Sequence, residues 1–395
     1  MWSRDTQPPH RGHTFNYATK IWIFIRIVFF FYICWLLLSS PAFNSPIYEV
    51  RTNYLQWSST LPAFSVCSAK SEHRLPGKEG FIENLVRPGK KYCSNCKNTT
   101  NYPINNYRNI TKMKTARCEE LLLDCYWNGM KLDCCSAFKH LPTLVGNCYS
   151  INSEMTGSRY KLEVSHYSKQ GELYLTAAED IEVYIHDPKE VDVSEIQSFI
   201  IRKKERTDVI FRFRESVAEE SAELLSVRTR GCILSKELAN YPMYSKSMCR
   251  MRCLANEQSR LCGCVHHLVS INVNAPDCNL TGLICLDRKF NEKKKKNLQK
   301  KCICLPSCEE MDISIVWKNL SRTESTLAQA KFSIISPPSE KGFLHSRYQL
   351  IDAIVLVACL SRLFTNISVH DIWKMWIKRK KRKHRKLKYY DPILF

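Results

Sequence analysis

Residues 249–264 read CRMRCLANEQSRLCGC, and the spacing of their cysteines guides the interpretation of the whole chain. The 395-residue chain contains 20 cysteines, and eighteen of them lie between Cys67 and Cys308. Such a density is typical of disulfide frameworks in oxidising compartments, because the cytosol keeps thiols reduced. The even number permits full pairing, and the sequence leaves the connectivity open. The predicted framework consists of Cys67, Cys93, Cys96, Cys118, Cys125, Cys134, Cys135, Cys148, Cys232, Cys249, Cys253, Cys262, Cys264, Cys278, Cys285, Cys302, Cys304 and Cys308.

Zinc binding and catalysis are the alternatives for such cysteines. Structural zinc usually takes Cys-x2-Cys pairs, and Cys93–Cys96 is a single such pair with no partner pair nearby. His266 and His267 suggest a Cys/His pair with Cys264, but a bridged cysteine is not a nucleophile. We therefore expect both histidines at the surface, no metal, no cofactor and no enzymatic activity.

Four glycosylation sequons fall in the cysteine-rich region and indicate that it faces the outside of the cell. Each consists of Asn-x-Ser or Asn-x-Thr, and their positions are Asn98, Asn109, Asn279 and Asn319.

Two apolar stretches flank this region. Residues 21–38 read IWIFIRIVFFFYICWLLL and are long enough to cross a bilayer, with Arg26 near one end where its stem can reach the interface. A buried core helix is the alternative, although the stretch has no polar face. Residues 350–373 form a second candidate span, interrupted by charges that include Asp352, Arg362 and Asp371. These charges favour a helix that lines an aqueous path, with an amphipathic surface helix as the alternative.

The charge distribution sets the predicted topology. The formal net charge is +21, and the run KRKKRKHRKLK at 378–388 supplies much of it directly after the second span. Basic residues beside a span mark its cytoplasmic side and attract anionic lipid, so nucleic-acid binding is not expected. The predicted segments are a cytoplasmic N-terminus (1–19), a first transmembrane helix (20–38), a cysteine-rich extracellular domain (39–349), a second transmembrane helix (350–373) and a basic cytoplasmic tail (374–395).

Local patterns predict a mixed α+β extracellular domain. Alternating apolar residues at 171–187 and 209–217 predict strands. The spacing of apolar residues at 116–127 predicts a short helix, and 243–258 predicts a longer one with Cys249 and Cys253 on one face.

Five stretches carry a resemblance to a known family. They are LPAFSVC (61–67), CEELLLDCYWNGMKLDCCSAFKHLPTLVGNCYSIN (118–152), VYIHDPKEV (183–191), RGCILSKELANYPMYSKSMCRMRCLANEQSRLCGC (230–264) and CICLPSC (302–308). In this order they resemble the epithelial sodium channel/degenerin family, in the style of its insect pickpocket branch.

The resemblance implies a fold and a function. Family members have two transmembrane helices that flank a large disulfide-rich α+β extracellular domain, and they assemble as trimers. It therefore implies a homotrimer or heterotrimer with related subunits that conducts sodium ions. The channel would be amiloride-sensitive, gated by an extracellular ligand or mechanical input, and located in the plasma membrane with both termini cytoplasmic.

The second span departs from the family pattern, which places a glycine in the selectivity filter. One register puts the filter on Leu363, Phe364 and Thr365, and the other puts it on Asn366, Ile367 and Ser368; neither has the glycine. Arg362 would oppose cation passage if it faced the pore, or would pair with Asp371 or Asp352 at a subunit interface.

Three functions therefore remain open. The chain is a subunit of a conducting sodium channel, a non-conducting regulatory subunit of the same family, or a single-pass cysteine-rich receptor or adhesion protein. The third requires that residues 350–373 do not span the membrane.

Overall fold

The computed structural model describes residues 12–40, 45–69, 85–86, 106–158, 160–168, 171–237, 243–269, 274–289, 302–365, 373–374 and 376–379. The chain divides into two compact units. One comprises Met1–Ile47, Glu220–Arg230 and His345–Phe395, and the other comprises Tyr48–Glu219 and Gly231–Leu344.

The described helices are α1 (Gly12–Leu38), α2 (Tyr107–Lys114), α3 (Cys118–Leu121), α4 (Cys134–Ala137), α5 (Glu220–Glu223), α6 (Val227–Arg230), α7 (Lys246–Cys262), α8 (Leu280–Lys289) and α9 (Leu350–Thr365). The strands are β1 (Pro46–Arg51), β2 (Ser58–Thr60), β3 (Ala63–Ser68), β4 (Leu122–Trp127), β5 (Met130–Leu132), β6 (Lys139–Thr143), β7 (Gly146–Ile151), β8 (Glu163–Ser165), β9 (Glu172–Ala177), β10 (Ile181–His186), β11 (Ser198–Ile201), β12 (Glu205–Ala218), β13 (Met311–Arg322), β14 (Ala328–Ile334) and β15 (Lys341–Ser346).

The large sheet is built around the 14-residue strand β12. The sheet order is β1-β15-β12-β14-β9-β4-β5. Strand β13 pairs antiparallel with β12 along one edge, whereas β14 and then β15 pair parallel with the other edge. Val209, Phe211 and Phe213 alternate with outward residues because successive side chains on a strand point to opposite faces.

A second sheet of five strands has the order β11-β10-β3-β7-β6. The main core contains buried side chains from both sheets. The ring of Phe64 on β3 lies 5.8 Å from that of Phe211 on β12 and 5.3 Å from that of Phe332 on β14. Full burial of each ring contributes about 1.5–3 kcal/mol, so this aromatic cluster is a substantial part of the contact between the sheets.

The helix predicted at 116–127 is wrong beyond its first turn. Only Cys118–Leu121 is helical, and Leu122–Trp127 forms β4, which pairs antiparallel with β9. Leu122, Cys125 and Trp127 are buried in the core. Pairing with β9 satisfies the backbone hydrogen bonds of this stretch while burying these side chains, which the local spacing alone did not reveal.

Helix α7 lies where the sequence predicts a helix at 243–258, with both ends shifted slightly towards the C-terminus. Ser245 caps it by accepting a hydrogen bond from the backbone nitrogen of Met248 at 3.2 Å. Gly263 ends it in a left-handed conformation with φ of 71°, which glycine adopts without strain.

The expectation that His266 and His267 lie at the surface is wrong, because they are 0% and 3% exposed. The chain turns inward after Gly263 and packs both rings in the interior.

Eight disulfides join sixteen of the cysteines in the described residues, and Cys93 and Cys96 lie outside those residues. Three bridges start on α7, two to residues 302–304 and one to α8, and a fourth joins Cys264, just after α7, to Cys278, just before α8. The pairs are Cys67–Cys148, Cys118–Cys135, Cys125–Cys134, Cys232–Cys308, Cys249–Cys304, Cys253–Cys302, Cys262–Cys285 and Cys264–Cys278.

Candidate functional site

Helix α1 is the first part of the candidate site. Its segment Lys20–Leu38 has a mean hydropathy of 2.5 and is the one helix in the described residues that is long and apolar enough to cross a membrane. Large apolar side chains such as Trp22, Phe24 and Trp35 are exposed along it. The Arg26 guanidinium lies over the Trp22 ring, 4.2 Å from its centre, so its charge is placed beside an aromatic face.

Helix α9 packs against α1, and the two run in opposite directions. The backbone nitrogen of Arg347, just before α9, donates to the carbonyl of Ser45, just after α1. Further along, the rings of Phe29 and Phe364 meet edge to face with 5.5 Å between their centres. Such an aromatic pair contributes about 0.5–1.5 kcal/mol beyond the area it buries.

The packing leaves a mixed face of α9 uncovered. Ala353, Leu356, Leu360 and Phe364 are half-buried, at the spacing of one helix face. The apolar side chains of Ile351, Ile354 and Leu363 are exposed on α9. The exposed residues on the side opposite the half-buried face also include Asp352, Val355, Cys359 and Arg362. With 3.6 residues per turn, these four fall within about 80° of one another around the helix axis. Helix α9 therefore presents both charges and a free thiol away from α1.

The residues predicted for the selectivity filter fall at the end of α9. Leu363 is exposed, Phe364 contacts α1, and Thr365 is the last residue of the helix. Asn366, Ile367, Ser368 and Asp371 lie outside the described residues. The 16 residues of α9 span about 24 Å, which is less than the ~30 Å of a bilayer core. A second transmembrane helix and the filter register therefore stay predictions.

Arg362 has no acidic partner among the residues that the structure describes. Asp352, one of the two partners expected for it, instead accepts a hydrogen bond from the backbone nitrogen of Gln349 at 2.7 Å and caps the start of α9. Asp352 and Arg362 are ten residues apart, which is about 15 Å along a helix, so they do not form an ion pair within one subunit.

A cleft of about 460 Å³ is a further candidate site, and the sequence did not predict it. Its walls are the turn after β10, the start of α7, and the segment that enters β13. Acidic residues dominate its charged lining: Asp187, Glu190, Asp192, Glu195, Glu309 and Glu310, against Lys189, Lys246 and Arg250. Glu190 belongs to the motif VYIHDPKEV, and Glu309 directly follows the motif CICLPSC. The two residues are more than a hundred positions apart in the sequence, so only folding brings them together.

Hydrogen bonds hold the carboxylates of the cleft in place. Asp187 accepts from the backbone nitrogen of Lys189 at 2.8 Å and from that of Met311 at 2.7 Å, which ties the turn to β13. Glu310 accepts from the backbone nitrogen of Ser307 at 2.8 Å. The ammonium of Lys189 pairs with Glu309 at 2.9 Å. The cleft is thus a fixed acidic surface.

Burial makes these carboxylates weaker acids than usual. It raises the pKa of Glu190 to about 7, and it raises the pKa values of Asp187, Asp192 and Glu310 above their ordinary range. Removal from water disfavours the charged form, and neighbouring carboxylates add to the effect at Glu190. Glu190 therefore changes its charge near neutral pH.

Three of the predicted glycosylation sites are exposed, and Asn98 lies outside the described residues. Asn109 is on α2, Asn279 precedes α8, and Asn319 is on β13. Asn279 also accepts a hydrogen bond from the backbone nitrogen of Gly282 at 2.9 Å, so its oxygen caps α8 while its amide nitrogen remains available.

The sequence of residues 11–358 matches the family described as amiloride-sensitive sodium channel. The chain belongs to this family. Its membership in the epithelial sodium channel/degenerin group, with insect pickpocket-like relatives, is confirmed, as is the disulfide-rich character of the domain between the helices.

Individual sodium channel relatives are similar over about half of the chain. The epithelial sodium channel subunit gamma of Xenopus laevis is 24% identical over 228 residues, which are 53% of this chain and 34% of the relative. Sodium channel protein Nach of Drosophila virilis is 22% identical over 221 residues, 52% of this chain and 57% of the relative. Pickpocket protein 11 of Drosophila melanogaster is 22% identical over 248 residues, 58% of this chain and 48% of the relative. The chain therefore spans between about a third and somewhat over half of the length of these curated relatives.

The family match does not include the residues predicted for the selectivity filter. It ends at residue 358, inside α9 and before Arg362 and all six candidate filter residues. Family membership is thus carried by α1, the disulfide-rich domain and the first part of α9. The names of the relatives describe ion channels, in keeping with the prediction of a channel rather than an enzyme.

Proposed function

We propose that the chain is a subunit of a trimeric, sodium-selective and amiloride-sensitive channel of the plasma membrane. In this proposal residues 20–38 and 350–373 cross the membrane, and residues 39–349 form the extracellular domain that receives a ligand or mechanical input. Both termini are cytoplasmic, and the basic tail (374–395) lies against anionic lipid. The partners are further copies of the chain or related subunits.

The packing of α9 on α1 carries the proposal. A single subunit supplies too few spans to enclose a water-filled path, so the uncovered face of α9 needs other subunits. Asp352 and Arg362 are tolerated in a span when they face water or protein, and both are exposed on the side of α9 that points away from α1. Three such faces meeting around an axis would supply a polar lining.

A second candidate is a regulatory subunit that does not conduct alone. Arg362 favours it, because three guanidinium groups on a narrow axis repel cations. The absence of the filter glycine from both possible registers also favours it, since small residues let backbone carbonyls approach an ion.

The deciding experiment is the current from cells that express the chain alone, with sodium replacement and amiloride. A sodium-carried current that amiloride blocks supports the conducting subunit. Silence with the protein present at the surface rejects it and supports the regulatory subunit, which is then tested by co-expression with an orthodox family member.

The topology needs its own measurement. An epitope placed after Phe395 should be reached by antibody only after the cells are permeabilised. If intact cells bind the antibody, the two-span arrangement is wrong, and a single-pass receptor becomes the better description.

A further inference from the structure

Strand β13 has an exposed aromatic side chain beside a glycosylation sequon. Trp317 is 47% exposed, and Asn319 is exposed two residues further along the strand. Residues two apart on a strand point to the same face and lie about 6–7 Å from each other. The sequon is completed by Ser321.

The strand register places this pair on the outer face of the large sheet. Trp317 lies opposite Ile210 and Asn319 lies opposite Asp208 on β12, and opposed residues of antiparallel strands share a face. Val209, between these two β12 residues, is buried on the other face. Asp208 forms an ion pair with Arg206 at 3.0 Å, and these two residues lie opposite Asn319 and Ser321, so charged groups adjoin the sequon.

Strand β13 lies at the edge of the large sheet. Within the described part of the chain, β13 is hydrogen-bonded to β12 and to no second strand. The bulge near Val316 exposes another apolar side chain at 47%. A long exposed edge strand with apolar side chains is a site of unwanted pairing, and folded proteins protect such edges.

We propose that an N-linked glycan on Asn319 lies over Trp317 and covers the exposed edge of β13. The apolar face of the first sugar rings packs on the indole, and the sugar hydroxyls face Asp208 and Arg206. The inference rests on the proposed extracellular position of residues 39–349.

The modification uses a lipid-linked oligosaccharide diphosphate as its co-reactant. A bond forms between the Asn319 amide nitrogen and the anomeric carbon of N-acetylglucosamine, and the bond from that carbon to the diphosphate oxygen breaks. The amide nitrogen loses one proton, and the lipid diphosphate leaves. No oxidant or reductant takes part.

The sequon at Asn109 provides an internal comparison. It has the same spacing, with Tyr107 two residues before the asparagine and Thr111 two residues after it. It lies on helix α2, however, where residues two apart point about 200° away from each other. Tyr107 is 1% exposed, so a glycan on Asn109 has no aromatic platform. The same sequence spacing thus predicts different behaviour at the two sites.

The test uses the full-length chain purified from cells that glycosylate. Peptide mass spectrometry measures the occupancy of Asn109, Asn279 and Asn319, and hydroxyl-radical footprinting measures the oxidation rate of Trp317. Ser321→Ala removes the sequon while keeping Asn319 and Trp317, and Asn109→Gln is the matched control. An endoglycosidase that leaves one N-acetylglucosamine on the folded protein gives a comparison without any substitution.

We expect occupancy at Asn319 and roughly twofold slower oxidation of Trp317, because a sugar ring covers one of the two faces of the indole. Protection should survive trimming to one sugar, disappear in Ser321→Ala and persist in Asn109→Gln. Occupied Asn109 and Asn279 with an unmodified Asn319 overturns the inference, as does an occupied Asn319 with unprotected Trp317. If all three asparagines are unmodified, the extracellular position itself fails. Concentration-dependent protection of Trp317 in Ser321→Ala would instead assign this edge to a second copy of the chain and overturn the glycan.

Discussion

Glu190 lies in the acidic cleft, and one of its carboxylate oxygens is buried without a hydrogen-bond partner in the part of the chain that the structure describes. Ser247 hydrogen-bonds to the side chain and favours its charged form, but burial outweighs that contribution and raises the pKa from 4.5 to about 7. The folded protein therefore holds a proton on Glu190 over a pH range in which the unfolded chain releases it.

Replacing Glu190 with glutamine should stabilise the protein in a pH-dependent way. A raised folded pKa contributes stability that is complete below pH 4.5 and is lost as the pH rises through about 7. Glu190→Gln should increase the free energy of unfolding by less than about 1 kcal/mol at pH 5 and by about 3 kcal/mol at pH 8. Thermal unfolding of the detergent-solubilised protein at both pH values measures the difference.

Glu195→Gln is the matched control, because Glu195 lines the same cleft with its side chain 59% exposed. It should change the free energy of unfolding by less than about 1 kcal/mol, because the ion pair that Glu195 forms with Arg250 is exposed to solvent. Equal effects of Glu190→Gln at pH 5 and pH 8 would mean that Glu190 titrates as an ordinary carboxylate.

The histidine pair shows the limit of sequence reasoning at this scale. Two adjacent polar residues after a helix are most often exposed, and the prediction followed that tendency. Their burial depends on residues 274–278, where Val265 pairs with Asp277 and a disulfide joins Cys264 to Cys278. No local pattern around His266 contains this information.

Among the elements, α7 is held by two nested bridges. Cys249–Cys304 and Cys253–Cys302 have sequence separations of 55 and 49 residues, so they close nearly the same loop of the unfolded chain. A disulfide stabilises mainly by reducing the entropy of the unfolded state. The second of two nested bridges therefore adds little to the first.

The loss of the two bridges should be strongly non-additive. Removing one bridge by the double change Cys249→Ser and Cys304→Ser should lower the free energy of unfolding by about 1 kcal/mol. Removing the other bridge by changing Cys253 and Cys302 to serine should cost about the same. Removing all four cysteines should cost about 4 kcal/mol, because only the outer bridge Cys232–Cys308 then restrains this stretch of the unfolded chain. Chemical unfolding without reductant measures the three variants against the native chain, and a simple sum of the single-pair costs would contradict the loop-entropy argument.

Strand β4 illustrates a competition between elements. The spacing of apolar residues in CEELLLDCYW (118–127) predicts a continuous helix, but only its first turn, Cys118–Leu121, is helical. Residues 122–127 form β4, which pairs with β9 on one side and with β5 on the other. A disulfide also joins Cys125 to Cys134. Partners distant in sequence outweigh local propensity here.

At the scale of the whole molecule, Arg362 becomes important only when subunits assemble. One exposed guanidinium on α9 costs little beside water, but three around a common axis form a ring of positive charge. Such rings disfavour cations and favour anions. The behaviour of the assembled channel should therefore depend on how many subunits carry Arg362.

Replacing Arg362 should change conduction through charge rather than through size. Arg362→Gly should increase the sodium current by about tenfold, equivalent to roughly 1.4 kcal/mol at the barrier. The matched variant Arg362→Lys keeps the charge and should behave like the native chain. Both are compared at equal surface expression, alone and beside an orthodox subunit. A sodium current from the native chain that Arg362→Gly leaves unchanged would show that Arg362 lies away from the ion path.

Four features can be predicted from the sequence alone: the family, the apolar segment of α1, the disulfide-rich character of the central domain, and strands such as β12. These follow from composition, residue spacing and motifs that each act over short stretches of chain. The folded structure is needed to learn which cysteines pair, that 122–127 is a strand, that His266 and His267 are buried, and that Glu190, Asp187 and Glu310 share one cleft. Those features depend on contacts between residues from nine to more than a hundred positions apart, where the free energy of packing rather than local propensity selects the arrangement.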